Sequence, residues 1–188
     1  MFKKNACSNV SRFSHIFDLF MRNGFTTERL TVHQLNLNDA EFILELVNTP
    51  GWIKFIGDRK VNALSDAKAY IKNIKKNSSI KYWGVKLQSS GTAVGIVTLI
   101  KRDYLTYHDI GFAFLPQYAK NGYAFEAASA LLSQLSKEFK LNRVLATTVN
   151  DNVNSFRLLT RLGFQFDTEI QIDDKSLKVY SLELAIKV

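Results

Sequence analysis

Asp109-Ile-Gly-Phe-Ala-Phe-Leu-Pro-Gln-Tyr-Ala-Lys-Asn-Gly-Tyr-Ala-Phe-Glu-Ala127 runs from a strand through a loop into a helix. Residues 109–115 read as a strand, and Pro116 ends it because proline has no N–H to give to a ladder. Gly122 opens backbone conformations closed to other residues. The helix behind it presents free N–H groups and the positive end of its dipole to whatever sits on the loop. A helix start of this kind can bind phosphate. Many α/β chains turn the same corner and bind nothing, so the stretch alone decides the corner and not the ligand. A second element adds weight: Asn150-Asp-Asn-Val-Asn-Ser-Phe-Arg-Leu-Leu-Thr-Arg-Leu-Gly-Phe164 is polar at a strand end, then helical, then Gly-Phe.

Outward from the corner, Ala124, Ala127, Ala128, Leu131, Leu132 and Leu135 give the helix of residues 122–139 one buried face. Upstream, residues 82–87 and 93–100 read as strands joined by a Ser89-Ser90-Gly91 hairpin, which with residues 109–115 make an antiparallel meander. Residues 29–35 alternate as an earlier strand. Asn38 or Asp39 then caps a helix striped by Phe42, Ile43, Leu46 and Val47, which Pro50-Gly51 is expected to end. Another helix starts near Ser65, with Ala67, Tyr70, Ile71 and Ile74 inward and Asn77-Ser78-Ser79 as its close. Downstream come a strand at 143–149, a helix at 154–162, and strands at 164–167 and 177–184 around an Asp173-Asp174 turn. The order β-α-α-β-β-β-α-β-α-β-β has no internal repeat, and it predicts one mixed α/β domain of α+β type over residues 25–188. Residues 1–24 stand apart as an N-terminal extension. Phe13, Ile16, Phe17 and Phe20 share a helical face before an Asn23-Gly24 stop, so an amphipathic helix is expected there. Such a face packs on the domain, in a homodimer contact or on a membrane surface.

The chain has 188 residues, enough for a single domain that buries roughly 70% of its unfolded surface. Cys7 has no partner for a disulfide, and His15, His33 and His108 are too scattered to bind metal with it, which points to a reducing compartment, the cytoplasm. No apolar run approaches the roughly 20 residues of a membrane helix. A formal net charge of +8 would suit a nucleic-acid binder, but Lys and Arg are spread along the chain with only Lys72, Lys75 and Lys76 clustered, the pattern of a solvated helix face. The basic surface equally attracts an anionic cofactor carrying several phosphates.

Three matches, in order, resemble the GNAT superfamily and specifically its branch of ribosomal-protein alanine N-acetyltransferases. Thr27-Glu28-Arg29-Leu30 with Asn38-Asp39-Ala40 is similar to that branch's opening. Ile110-Gly111-Phe112 through Gly122-Tyr123-Ala124-Phe125-Glu126-Ala127 is similar to its acetyl-CoA motif, and Asn152-Val-Asn-Ser155 with Gly163-Phe164 to its second cofactor motif. The resemblance covers residues 25 to 186. It implies a mostly antiparallel sheet whose fourth and fifth strands splay, with a pantetheine arm in the gap on backbone of Phe112, Ala113 and Phe114. It places the cofactor's pyrophosphate on the N–H groups of Ala119, Lys120, Asn121, Gly122, Tyr123 and Ala124. Two departures stand out: the family loop often reads Gln/Arg-x-x-Gly-x-Gly/Ala where this chain has Ala119-Lys-Asn-Gly122-Tyr-Ala124, and Lys120 replaces a further branch glycine.

The implied reaction moves acetyl from acetyl-CoA, as cosubstrate, to a primary amine of a small molecule or a protein N-terminus, in a ternary complex. An alkylammonium has a pKa near ~10 and must lose a proton before it attacks; Asp109, on the face shared with Gly111 and Ala113, is the candidate base or amine anchor, with a surface ion pair as its alternative role. The departing thiol needs a hydrogen bond or proton. Many relatives use a tyrosine at the position of Leu159, so the hydroxyl expected to serve here is that of Ser155, whose other role is helix N-terminal hydrogen bonding. Asn152 is implied as a pantetheine partner, or simply as a helix cap, while Trp52, Phe55, Tyr104 and Tyr107 lie in segments bordering the acceptor cleft. The alternatives are a GNAT-fold protein that binds CoA without catalysis, and a basic RNA- or ribosome-binding module.

Overall fold

The computed structural model describes residues 24–139, 141–173 and 175–185. The helix expected around residues 13–20 lies outside them. In chain order the elements are β1 (Phe25–Thr26), β2 (Leu30–Gln34), α1 (Ala40–Val47), α2 (Pro50–Phe55), α3 (Leu64–Lys76), β3 (Ile80–Leu87), β4 (Ala93–Ile100), β5 (Asp109–Phe114), α4 (Tyr123–Phe139), β6 (Arg143–Thr148), α5 (Val153–Arg161), β7 (Gln165–Ile172) and β8 (Lys175–Glu183). The strands make one sheet in the order β1-β2-β3-β4-β5-β6-β8-β7. Every neighbouring pair is antiparallel except β5 and β6, which run parallel. The expected mixed, mostly antiparallel sheet flanked by helices is therefore what forms. Counted with β1, the splayed strands are the fifth and sixth.

Two local expectations need correction. Pro50-Gly51 does not end a helix; it begins α2, with Thr49 as the cap whose Oγ1 accepts from Trp52 N at 3.3 Å. Proline suits the first helical turn because its missing N–H would have had no partner there. The first helix instead stops at Val47. The other is the cap of that helix: Asp39 stands at the N-cap position but makes no side-chain cap bond, its carboxylate accepting instead from Asn36 N at 2.9 Å. The two-residue β1, opposite Val32 and Thr31, is too short to carry a periodic signal.

The sheet separates two apolar layers. On one face α4 lays Ala127, Leu131, Leu132 and Leu135 against Leu30, Val32, Trp83, Val97, Leu99, Ile110 and Val144. On the other, α1, α2 and α3 bury Phe42, Ile43, Leu46, Trp52, Ala67, Ile71 and Ile74 against Leu35, Ile96 and Leu115. Alternation along β4 explains the division: Val97 and Leu99 point to the first layer and Ile96 to the second. Buried apolar area of this kind contributes about 25 cal/mol per Å² and holds the two arms of the gap in place.

The parallel pair positions the site. The β5–β6 register contains one pair, Asp109↔Leu145, and Leu145 N donates to His108 O at 2.9 Å just before it. Beyond that point β5 pairs only with β4 and β6 only with β8. Because the two strands are parallel, both open ends lie on the same side. The loop into α4 leaves one arm of the V and the turn into α5 leaves the other.

Candidate active site

The vertex of the V is pinned by a side chain. Asp109 is 3% exposed, and its Oδ1 accepts from Thr147 N at 2.9 Å, the amide that would otherwise have sought a ladder partner on β5. Its Oδ2 accepts from Arg102 Nε at 2.5 Å, and Thr147 Oγ1 lies 3.3 Å from both oxygens. The ion pair is buried, not the surface pair considered from the sequence. Burial pushes the Asp109 carboxyl above its usual range, while Arg102 and Thr147 pull against that shift. Burial likewise works against the Arg102 charge, but Asp109 more than offsets it and Arg102 is raised.

On the β5 arm, a short 3-10 turn at Pro116–Tyr118 leads into the loop, and Ala119 N–H is taken by Pro116 O at 3.1 Å. Ala119 therefore offers no free donor, a correction to the run of N–H groups expected from the sequence. From Lys120 through Phe125 no main-chain N–H donates to a described residue, whereas Glu126 N–H donates to Gly122 O at 3.0 Å and starts the helical ladder. The free run joins a loop to the start of a helix of 17 residues. That is the arrangement of donors an anion with several oxygens requires. Gly122 is left-handed at φ +81°. Lys120 is left-handed too, at φ 64°. A side chain there costs about 1–2 kcal/mol, so the surrounding structure must hold the loop.

What holds it comes from the other end of the domain. Glu126, in the first turn of α4, accepts from Thr27 Oγ1 at 2.5 Å, Arg29 N at 2.9 Å and Arg29 Nε at 2.7 Å, and its Oε2 lies 2.6 Å from Arg29 Nη2. Arg29 Nη1 donates to Asn121 O at 3.1 Å, and the guanidinium covers the Tyr123 ring at 4.8 Å. Burial would raise the Glu126 carboxyl, but the Thr27 and Arg29 hydrogen bonds hold it below its usual range.

On the β6 arm, Asn152 caps α5: its Oδ1 accepts from Ser155 N at 3.1 Å. Ser155 thus contributes its amide to the cap and leaves its half-buried hydroxyl with no partner among the described residues. Leu159, one helical turn on, is 1% exposed in the α4-side core. Gly163, at φ +91°, ends the helix and lets Phe164 N donate to Leu159 O at 3.0 Å.

The aromatic residues expected near an acceptor divide. Trp52 is buried in one layer with residues of α1 and α3, and its Nε1 has no partner among the described residues. Tyr107 packs on Leu105, Leu145 and Val179, with Arg143 over its ring at 5.4 Å. Phe55 is half-buried under the Lys54 ammonium, 4.8 Å from its ring centre, and Tyr104 is 42% exposed beside Arg102. Lys54 also reaches Asp151 at 2.9 Å, joining α2 to the turn before α5. The structure therefore draws α2, the α4 loop and the α5 turn to the two arms. Sequence reasoning passed over Arg102, Thr147 and the Arg29–Glu126 pair. The first two had no spacing signal, and the third sat inside quoted motifs whose halves are far apart in the chain.

Residues 29–165 match the acetyltransferase (GNAT) domain family. Over 140 residues the chain is 30% identical to YnaD, an uncharacterized N-acetyltransferase of Bacillus subtilis, spanning 74% of this chain and 81% of that protein. An acetyltransferase (GNAT family) from Bacillus anthracis has a similar solved structure, with TM-score 0.72 and 26% identity over 85% of this chain and 98% of that one. Spermidine N-acetyltransferase from Vibrio cholerae, solved with CoA and spermine, shares the fold with TM-score 0.71 and 15% identity, over 85% of this chain and 98% of that one. With more than half of its length matched to the domain, and the parallel vertex and free-amide loop in place, this chain belongs to the GNAT acetyltransferase family.

Proposed function

We propose that the chain transfers acetyl from acetyl-CoA to a primary amine, with the cofactor seated along β5 and its diphosphate on the loop at residues 120–125. The observation that carries this reading is the run of unpaired N–H groups at the start of α4, beside strands that part after a single pair. The same fold holds CoA in the spermidine N-acetyltransferase. Bound acetyl-CoA would supply the thioester carbonyl that the amine attacks. Placement in the ribosomal-protein alanine branch is part of the proposal, and it rests on the opening and cofactor motifs of the sequence.

In this reading the chain's own groups divide the work. Phe112, Ala113 and Phe114 line the gap with backbone, their other edge being held by β4. Ser155 offers the leaving sulfur a hydroxyl that is unpartnered among the described residues, and the thiol pKa near ~8.5 makes a hydrogen bond there useful. Asn152 acts through the helix start, fixing the Ser155 amide and with it the direction of the side chain. Asp109 sits among fixed donors at the vertex and sets how far the arms part. Phe55 and Tyr104 border the acceptor side.

Isothermal titration with CoA tests the cofactor half of this proposal. Wild type should bind at one site, and Gly122→Val should bind about tenfold or more weakly, since a β-branched residue cannot hold φ +81° without strain. The variant's circular dichroism should stay that of the wild type. Equal affinities would move the phosphate site off this loop.

A further inference from the structure

The loop at residues 120–125 is an awkward piece of backbone. Lys120 and Gly122 are both left-handed, at φ 64° and φ 81°, and a lysine gains nothing from that conformation by itself. The peptide between Asn121 and Gly122 lies between the two left-handed residues, and its carbonyl accepts from Arg29 Nη1 at 3.1 Å. In a trans peptide the carbonyl and the amide hydrogen point in opposite directions, and no described peptide here is cis. Binding the Asn121 carbonyl therefore turns the Gly122 N–H away from the guanidinium, toward the side left open for a ligand. The anchor is itself immobilised. Arg29 is gripped at its backbone N–H and its Nε by Glu126, and its carbonyl accepts from Gln88 N at 2.9 Å.

Charge supports the same role. A free carboxylate in the first turn of α4 would repel phosphate, and the ion pair with Arg29 removes that repulsion where the diphosphate is proposed to lie. The ion pair has no net charge, so its contribution to an anion site is the geometry it imposes.

Resting on the acetyl-CoA reading, we propose that Arg29 and Glu126 are positioning residues for the cofactor's diphosphate: the clamp from the β1–β2 turn holds the 120–125 loop with its N–H groups facing the phosphates. CoA and pantetheine, which has the arm and thiol but no phosphate, are titrated into the full chain carrying Arg29→Gln, Arg29→Lys or Glu126→Gln. Each variant is expected to bind CoA about tenfold more weakly, or worse, and pantetheine as the wild type does. Arg29→Lys keeps a cation beside Glu126 but cannot reach that carboxylate and the Asn121 carbonyl together, so it reports on the clamp even if Arg29→Gln folds poorly. Tighter CoA binding by Glu126→Gln would show that the carboxylate acts only through its charge and would overturn the proposal. So would unchanged CoA affinity in Arg29→Lys, or a proportional loss for CoA and pantetheine. A wild-type chain that binds no CoA would overturn the cofactor reading itself, and this inference with it.

Discussion

Asp109→Ala is expected to cost about 3 kcal/mol of folding stability, near the low end for removing one partner of a buried ion pair. Two losses add. Arg102 keeps its charge without its buried partner, although it is a third exposed and recovers some hydration, and Thr147 N–H loses its acceptor between strands that are no longer paired. Asp109→Asn separates shape from charge, because its amide oxygen can still accept from Thr147 N–H. Burial raises the Asp109 pKa in the folded state, so its favourable contribution is complete below the ordinary aspartate range and is lost as pH rises through the folded value. The stability of wild type relative to Asp109→Asn should therefore decline with rising pH above the ordinary aspartate range. Urea unfolding across that range measures it. A constant difference would mean that the carboxyl titrates alike in both states.

The other large effect concerns rate. Ser155→Ala is expected to lower kcat by about ten- to a thousandfold, the range seen when a donor to developing charge is removed. Acetyl-CoA affinity should change little. Folding should change little as well, because the cap uses the Ser155 amide and the Asn152 side chain, both of which survive the substitution. Leu159 sharpens the expectation: it is a core leucine with no polar group to offer, whereas the Ser155 hydroxyl one turn earlier has no partner among the described residues. Steady-state kinetics with a CoA titration of the same sample separates the outcomes. A normal kcat with weakened binding would make Ser155 a cofactor contact only, and normal values of both would make it a helix residue.

Much of the fold was legible because its signals are local. The alanine and leucine stripe of α4, the Ser89-Ser90-Gly91 hairpin and the Gly163 stop each depend on neighbours within a few residues. Gly122 was legible for the same reason, since its left-handed turn and the amides behind it belong to one short stretch. The errors arose where a local rule had two readings. Pro50-Gly51 can end a helix or open one, and only the capping hydroxyl of Thr49 and the packing of Trp52 decide for α2. The vertex was half legible: Asp109 was singled out by strand alternation, but its partners Arg102 and Thr147 come together only when β5 and β6 pair in parallel. The Arg29–Glu126 clamp joins residues 97 positions apart, and nothing in either motif indicates the other.

The most direct measurement of acetyl transfer is release of free CoA thiol when the purified chain meets acetyl-CoA and a panel of primary amines, spanning polyamines, small-molecule amines and peptides with free N-termini. The account predicts thiol release that depends on both the chain and at least one amine, with acetylated product in equal amount. Saturable acetyl-CoA binding with no thiol release on any acceptor would contradict it and leave a CoA-binding protein without transferase chemistry.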